Sequence, residues 1–304
     1  MSAHHLLANE AKDVLVFGDK ATFPYVSTAP LILAYGTFNC VFPWYTQLDI
    51  FHLVVANNLA VPALLFLVKG KTKETCLIIL RLAEEIAENE GTPFFNRPVT
   101  IMSDFEAGFI HAVQELYPSV SVTCCFFHYV QNIRKTARPV MTKIKKGEGE
   151  TSLTFKLAQK TKRRFMMLPL LQEELITSEV IDIILAHWKA KVPDRLQTAF
   201  RGITSKVLGT YVGAPPGSKD PPAPASPQIW SVSARSVRTN NGAESLHSEL
   251  NQKSKGRLNI NRFLAIMEEQ MDRAWDRITM GASLRRALPY WRRTIFSRSS
   301  SGTL

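Results

Sequence analysis

The sequence predicts an α/β fold: a mixed sheet flanked by helices, with a helical insertion before its last core element. Three observations carry this prediction. Three short apolar runs, LILAYGTFNCVF, WYTQLDIFHLVVA and AVPALLFLVKG, follow one another with turn-like residues such as Asn57-Asn58 between them, the pattern of an antiparallel meander. Behind them strand-like and helix-like segments alternate up to residue 135. From about 137 to 208 the pattern turns helical and basic, without strand signals.

Each element has its own justification. TKETCLIILRLAEEIAENEG opens at Thr72, which has Thr75 rather than an acid three residues on, and ends at Gly91. Its residues Cys76, Ile79, Leu80, Ala83 and Ile86 recur at helical spacing. Strand VTIMSD follows, then helix FEAGFIHAVQELYP, stopped by Pro118, then strand VSVTCCFF running into helix HYVQNIRKTAR. Residues 1–135 thus read as three strands, a helix and two strand-helix units. Residues 136–208 form the basic helical insertion, with its KIKK and KTKRR clusters and the apolar helix EVIDIILAHWKA. The Pro- and Gly-rich stretch over 209–229 is a loop. Order returns in 230–270, expected to hold a final core helix, and 271–304 is a basic C-terminal segment.

Composition bounds the class. An apolar content of 45% is that of a globular protein and argues against disorder. The net charge of +11 is unevenly placed: residues 1–130 carry 7 Lys/Arg against 12 Asp/Glu, residues 131–250 carry 19 against 10, and residues 251–304 carry 11 against 4. The front is therefore acidic and the rear basic, which suits a polyanionic partner such as nucleic acid, although a solvated basic face gives the same count. Four cysteines, Cys40, Cys76, Cys124 and Cys125, are too few for a disulfide scaffold in this length and fit a reducing compartment. The N-terminus lacks a basic-then-apolar signal pattern. The most apolar segment is broken by His52, Asn57, Asn58 and Pro62, so no membrane partner is expected.

Chemistry enters at Asp104, where the strand VTIMSD ends on a carboxylate. A strand end faces the open rim of a sheet, where α/β folds place ligands. Asp104 could serve there as a metal ligand or simply cap the next helix, with Glu106 in its first turn. Holding Mg²⁺ takes partner acids. Glu244 and His247, three apart on an expected helix with Leu246 and Leu250, share a face. Cys125 and His128 have the spacing of half a zinc site, without an evident second pair among His52, His111, His187 and His247, and buried core is the simpler reading. Arg235 and Arg238 are candidates to grip phosphate, and Asn240 and Asn241 to cap the helix that follows or to join in nucleic-acid binding. Arg285, Arg286, Arg292 and Arg293, around Tyr290 and Trp291, combine backbone contact with base stacking, or form an ordinary amphipathic helix.

Three segments, in order, carry a family resemblance: YGTFNCVFPWYTQLDIFHL, IMSDFEAGFIHAVQELYPSVSVTCCFFHYVQNI and RTNNGAESLHSELN. They resemble the Asp-Gly-Thr-Phe strand, the strand-Asp with Cys-x-x-His on the next strand, and the Asn-rich signature at the third acid of the Mutator-like element (MULE) transposase domain. The resemblance spans roughly residues 13–265 and implies a ribonuclease H-like fold with a mixed five-stranded sheet. It also implies three acids converging on a pair of Mg²⁺ ions for in-line phosphoryl transfer. Asp104 matches the second acid, Glu244 the third with His247 beside it, and Cys125 and His128 the family's Cys-x-x-His.

The place of the first acid is held by Tyr35, in Tyr35-Gly36-Thr37-Phe38. A phenol is neutral at cellular pH and a poor Mg²⁺ ligand. The expectation is therefore a transposase-derived, nuclear, DNA-binding protein without strand transfer, with Mg²⁺ as cofactor only if activity remains; homo-oligomers are compatible with it. The alternative is an active metal-dependent DNA transposase or nuclease in which Asp49 substitutes for the missing ligand. A third reading is a protein-interaction module built on the old scaffold. No Cys/His-rich DNA-reading module precedes the core, so target recognition is expected to be absent or supplied elsewhere.

Overall fold

The computed structural model describes residues 5–10, 14–37, 41, 44–55, 58–189, 197, 203–212, 226–235, 237–239, 248–253 and 259–287. The three apolar runs form strands β3 (Leu31–Thr37), β4 (Gln47–Val55) and β5 (Leu59–Val68). They are preceded by β1 (His5–Glu10), β2 (Val14–Gly18) and the short helix α1 (Phe23–Val26). Two short strands follow, β6 (Thr100–Ser103) and β7 (Ser121–Cys124). All join one seven-stranded sheet of order β1-β2-β5-β4-β3-β6-β7. The expected five strands are thus extended by β1 and β2, which add to the free edge of β5 through antiparallel pairing.

Strands β3, β4 and β5 pair antiparallel, whereas β6 pairs parallel to β3 and β7 parallel to β6. The parallel members are reached through helices: α2 (Lys73–Asn89) crosses from β5 to β6, and α3 (Ala107–Leu116) from β6 to β7. Helix α2 begins where Thr72 accepts a hydrogen bond from the Thr75 N–H, and ends before Gly91, whose φ of +71° suits glycine. Pro62 sits inside β5 opposite His52, where the pairing register slips; a proline there costs less than in a continuous ladder.

Both faces of the sheet are covered, which is why its central strands are apolar almost throughout. On one face Ile32, Ala34, Phe51 and Leu53 join one core with Ile79, Phe109 and Val113 of α2 and α3. On the other, Leu48, Ile50, Leu65 and Leu67 pack with Leu250 and with Phe263, Ile266 and Met267 of helix α8 (Ile260–Ala287).

The segment that follows β7 is helical over most of residues 126–189. Helices α4 (Phe126–Glu148) and α5 (Leu153–Met167) form a hairpin, and α6 (Ser178–Lys189) packs on α5. Helix α4 runs unbroken across residues 135 and 136. Inside, the Tyr129 ring stacks on Trp230 of the short helix α7 (Pro227–Trp230) at 5.2 Å. The Tyr129 hydroxyl donates to the Phe165 carbonyl at 2.9 Å and the Trp230 indole N–H to the Tyr211 carbonyl at 2.8 Å, so each buried aromatic has its polar atom satisfied. No helix among the described residues is long and apolar enough to cross a membrane.

Candidate active site

The candidate site forms at the rim where β3 and β6 end side by side. Their parallel register pairs Leu33 with Met102, so Tyr35 and Asp104, each two residues further on, lie at the same end of adjacent strands. Asp104 follows the last residue of β6, half-buried. Its Oδ1 accepts the Glu106 N–H at 2.9 Å, while its own carbonyl receives the Ser103 hydroxyl at 3.0 Å. The N-cap of α3 is Glu106, not Asp104. Asp104 therefore closes the turn between strand and helix, leaving its second carboxylate oxygen for other use.

Successive residues of a strand face opposite sides. Tyr35 pairs with Ile50 and Gly36 with Asp49, so Tyr35 and Asp49 occupy opposite faces. Tyr35 is 4% exposed and belongs to a small core with Leu33, Met102, Cys125 and the partly buried Phe127 and Val237. Its ring lies nearly parallel to the His128 imidazole, centroids 5.5 Å apart. Burial, with the Cys125 thiol and Asp104 nearby, pushes its phenol well above the usual tyrosine range, so it stays protonated. Its hydroxyl meets no sound hydrogen-bond geometry among the described residues. The ring is a packing element.

Asp49 stands on the α2–α3 side. Gln47 Nε2 donates to its Oδ1, and both side chains lie across Gly36: a Cβ there would come within 2.6 Å of Asp49 Oδ1. This close approach explains why residue 36 is glycine. Burial first, then the charges of Glu106 and Asp104, overcome the Gln47 hydrogen bond and raise the Asp49 carboxyl to about 7. Burial and Asp104 raise Glu106 as well. The cleft bordered by Gly36, Asp49, Ser103, Asp104, Glu106 and Phe109 has a volume of about 20 Å³. That is room for roughly one water, whereas a two-metal centre needs ions about 3.5–4 Å apart.

Strand β7 stops at Cys124, three residues before the end of the expected run, where its pairing partner β6, four residues long, also ends. Cys125 becomes the N-cap of α4 rather than a strand residue, a correction to the expected run, and His128 lies in that helix's first turn. The Cys125 N–H donates to the Ser103 carbonyl at 2.9 Å and the Phe126 N–H to the Arg238 carbonyl at 3.0 Å, tying the start of α4 to the rim. Among the described residues no group of three or more His, Cys, Asp and Glu is placed to hold a metal ion. The side chains described around the rim thus fit neither a two-metal centre nor a zinc site.

Of the remaining candidates, Arg235 donates through its two terminal nitrogens to the Ile229 and Gln228 carbonyls at 3.1 and 2.8 Å, anchoring the end of α7. Arg238 is exposed beside the start of α4. Arg285 and Arg286 lie near the end of α8. Asn240, Asn241, Glu244, His247, Arg292 and Arg293 lie outside the described residues. Glu106 borders the cleft and Gln47 holds Asp49 beside it, and sequence had singled out neither as a site residue. The adjacency of Glu106 to Asp104 was a signal for the first, and only strand register reveals the second.

The family model described as MULE transposase domain matches residues 37–132, from the end of β3 through the first turns of α4. The match indicates a transposase-related function and, with it, DNA interaction. It contains Asp49, Asp104, Cys125 and His128, and begins two residues after Tyr35. No curated protein and no solved structure matches the chain.

Proposed function

We propose that this chain, matching the MULE transposase domain over residues 37–132, is a transposase-derived DNA-binding protein that has lost strand cleavage and joining. The proposal includes a ribonuclease H-like core, which the order β5-β4-β3-β6-β7 resembles, with β1 and β2 as additions, and a nuclear location, where the DNA is. The observation that carries it is Tyr35: a buried, neutral phenol stacked on His128 where the family resemblance places a carboxylate. Phosphoryl transfer by paired cations needs anionic oxygens that hold both ions. Asp104 retains a carboxylate at the rim, but Tyr35 supplies no charge to it.

The alternative, with Asp49 as substitute ligand, is disfavoured by the burial of that carboxyl and by the size of the cleft. Asp49 borders the same cleft as Asp104 and Glu106, but it accepts from Gln47 and burial raises its carboxyl to about 7, so it is a weak ligand in a space with room for roughly one water. What the chain retains is attraction for phosphate, drawn from the basic charge after residue 130.

The test is a nicking assay on supercoiled DNA with Mg²⁺ or Mn²⁺, comparing the full chain with Asp104→Ala. The expected result is no nicking beyond the Asp104→Ala background. Metal-dependent nicking that Asp104→Ala removes would refute the inactive assignment and revive a metal-dependent enzyme.

A further inference from the structure

We infer that the groove between α4 and α5 is a binding track for the phosphate backbone of duplex DNA. The inference rests on the DNA-binding reading above and gives it a location that neither the family match nor the sequence motifs assign.

The two helices carry eleven Lys/Arg: Arg134, Lys135, Arg138, Lys143, Lys145 and Lys146 on α4, with Lys156, Lys160, Lys162, Arg163 and Arg164 on α5. Against them stands one acid, Glu148. An ordinary solvated helix face spreads its cations outward. Here Arg134, Lys135 and Arg138 of α4 and Lys162 of α5 line one concave groove of about 500 Å³, with Gln131 and Thr142 among its polar neighbours. Lys145 pairs with Glu150, but Arg134, Lys135, Arg138, Lys162 and Arg163 have no carboxylate partner among the described residues. Lys162 is half-buried, and burial followed by the charges of Arg134 and Arg163 lowers its pKa. Uncompensated like charges facing one groove are a standing electrostatic cost that an anion filling the groove relieves.

The form of the groove selects the ligand. Its lining holds one large apolar side chain, Met141, and no aromatic ring, so it offers nothing on which unpaired bases could stack, as single strands require. A cationic lining without an aromatic ring suits a duplex backbone, which presents a phosphate about every 1.7 Å of axis. The track also leads from the site. Helix α4 starts at the rim with His128 in its first turn, and a helix rises about 1.5 Å per residue, so Arg134 and Arg138 lie roughly 9 and 15 Å along the axis from His128. A duplex following these cations reaches the rim where Asp104 stands.

The experiment measures binding of the full chain to a short duplex of arbitrary sequence by fluorescence anisotropy across a salt series. The variants are Arg134→Ala/Arg138→Ala/Lys162→Ala and the charge-retaining Arg134→Lys/Arg138→Lys, with circular dichroism to check folding. The triple alanine variant is expected to lower the slope of log K against log salt by about 3 and to weaken binding roughly 10- to 100-fold at physiological salt. The lysine variant keeps the wild-type slope. Should the triple variant lose its fold, Arg138→Glu, a single exposed change, is expected to lower the slope by at least about 1. Salt-dependent binding by the wild type with an undiminished slope in the triple variant, or in Arg138→Glu where that stands in for it, would overturn the groove and leave the DNA-binding reading intact. Absence of any salt-dependent binding by the wild type would defeat the DNA-binding reading itself. Polyglutamate binding that the same variant loses, with the DNA slope kept, would overturn the inference in favour of an acidic protein partner.

Discussion

Tyr35→Asp is expected to lower the free energy of unfolding by about 3–5 kcal/mol at neutral pH, the largest effect of any change at the rim. The wild-type ring is 4% exposed and packs with Leu33, Met102 and Cys125 while stacking on His128. The aspartate would leave part of that volume empty and bring a carboxylate into an apolar interface already facing Asp104. Tyr35→Phe is the control. It keeps the ring and removes a hydroxyl that makes no sound hydrogen bond among the described residues, so its stability should stay within about 1 kcal/mol of the wild type. Urea unfolding of the three proteins checks both statements. An aspartate variant as stable as the wild type would mean that the side chain at this position is solvated at the rim rather than packed, and would remove the main observation against an acid there.

Asp49→Asn is expected to stabilise the protein, and only above mildly acidic pH. The folded-state carboxyl of Asp49 titrates at about 7, against 3.8 in an unperturbed chain. Between those values the folded protein keeps a proton that the unfolded chain has released, so stability falls as pH rises from about 4 toward 7 and stays reduced above that. Asparagine keeps the shape and the oxygen that accepts from Gln47, and does not ionise. The gain should be roughly 1–3 kcal/mol near pH 8, after a discount for the partial exposure of the carboxylate, and close to zero near pH 4. Thermal unfolding at the two pH values distinguishes this from a simple packing effect, which would be the same at both. A variant less stable than the wild type near pH 8 would show that the ionised carboxylate has a favourable partner in the fold.

Much of the sheet was readable because its signals are local. The stripe Cys76, Ile79, Leu80 and Ala83 makes α2 unmistakable, and the three apolar runs became β3, β4 and β5 because strands buried on both faces need no alternation. The end of β7 was not readable: Cys124, Cys125, Phe126 and Phe127 are apolar in a row, and short apolar runs do not distinguish strand from helix. The parallel partner β6 sets that limit, and it lies nearly twenty residues away in the chain. Strands β1 and β2 escaped the five-strand expectation because their addition to the edge of β5 is a long-range pairing.

At the site, a phenol at Tyr35, where the family resemblance implies an acid, is readable in the sequence, and so is the question of Asp49. Its answer required the burial of Asp49 and the size of the cleft beside it, which depend on how the chain folds and cannot be counted from residue types. The basic groove was hidden for a similar reason. KTKRR looks like any solvated charge run until the hairpin sets Lys162 across from Arg134 and Arg138.

On the proposed function, a phenol at position 35 leaves the rim unable to hold the cations that strand transfer requires. Its most direct test is Mn²⁺ binding by the full chain, followed by the loss of the free-ion paramagnetic resonance signal, in the wild type and Asp104→Ala. The same weak, nonspecific uptake is expected for both. Stoichiometric Mn²⁺ binding by the wild type that Asp104→Ala abolishes would contradict it.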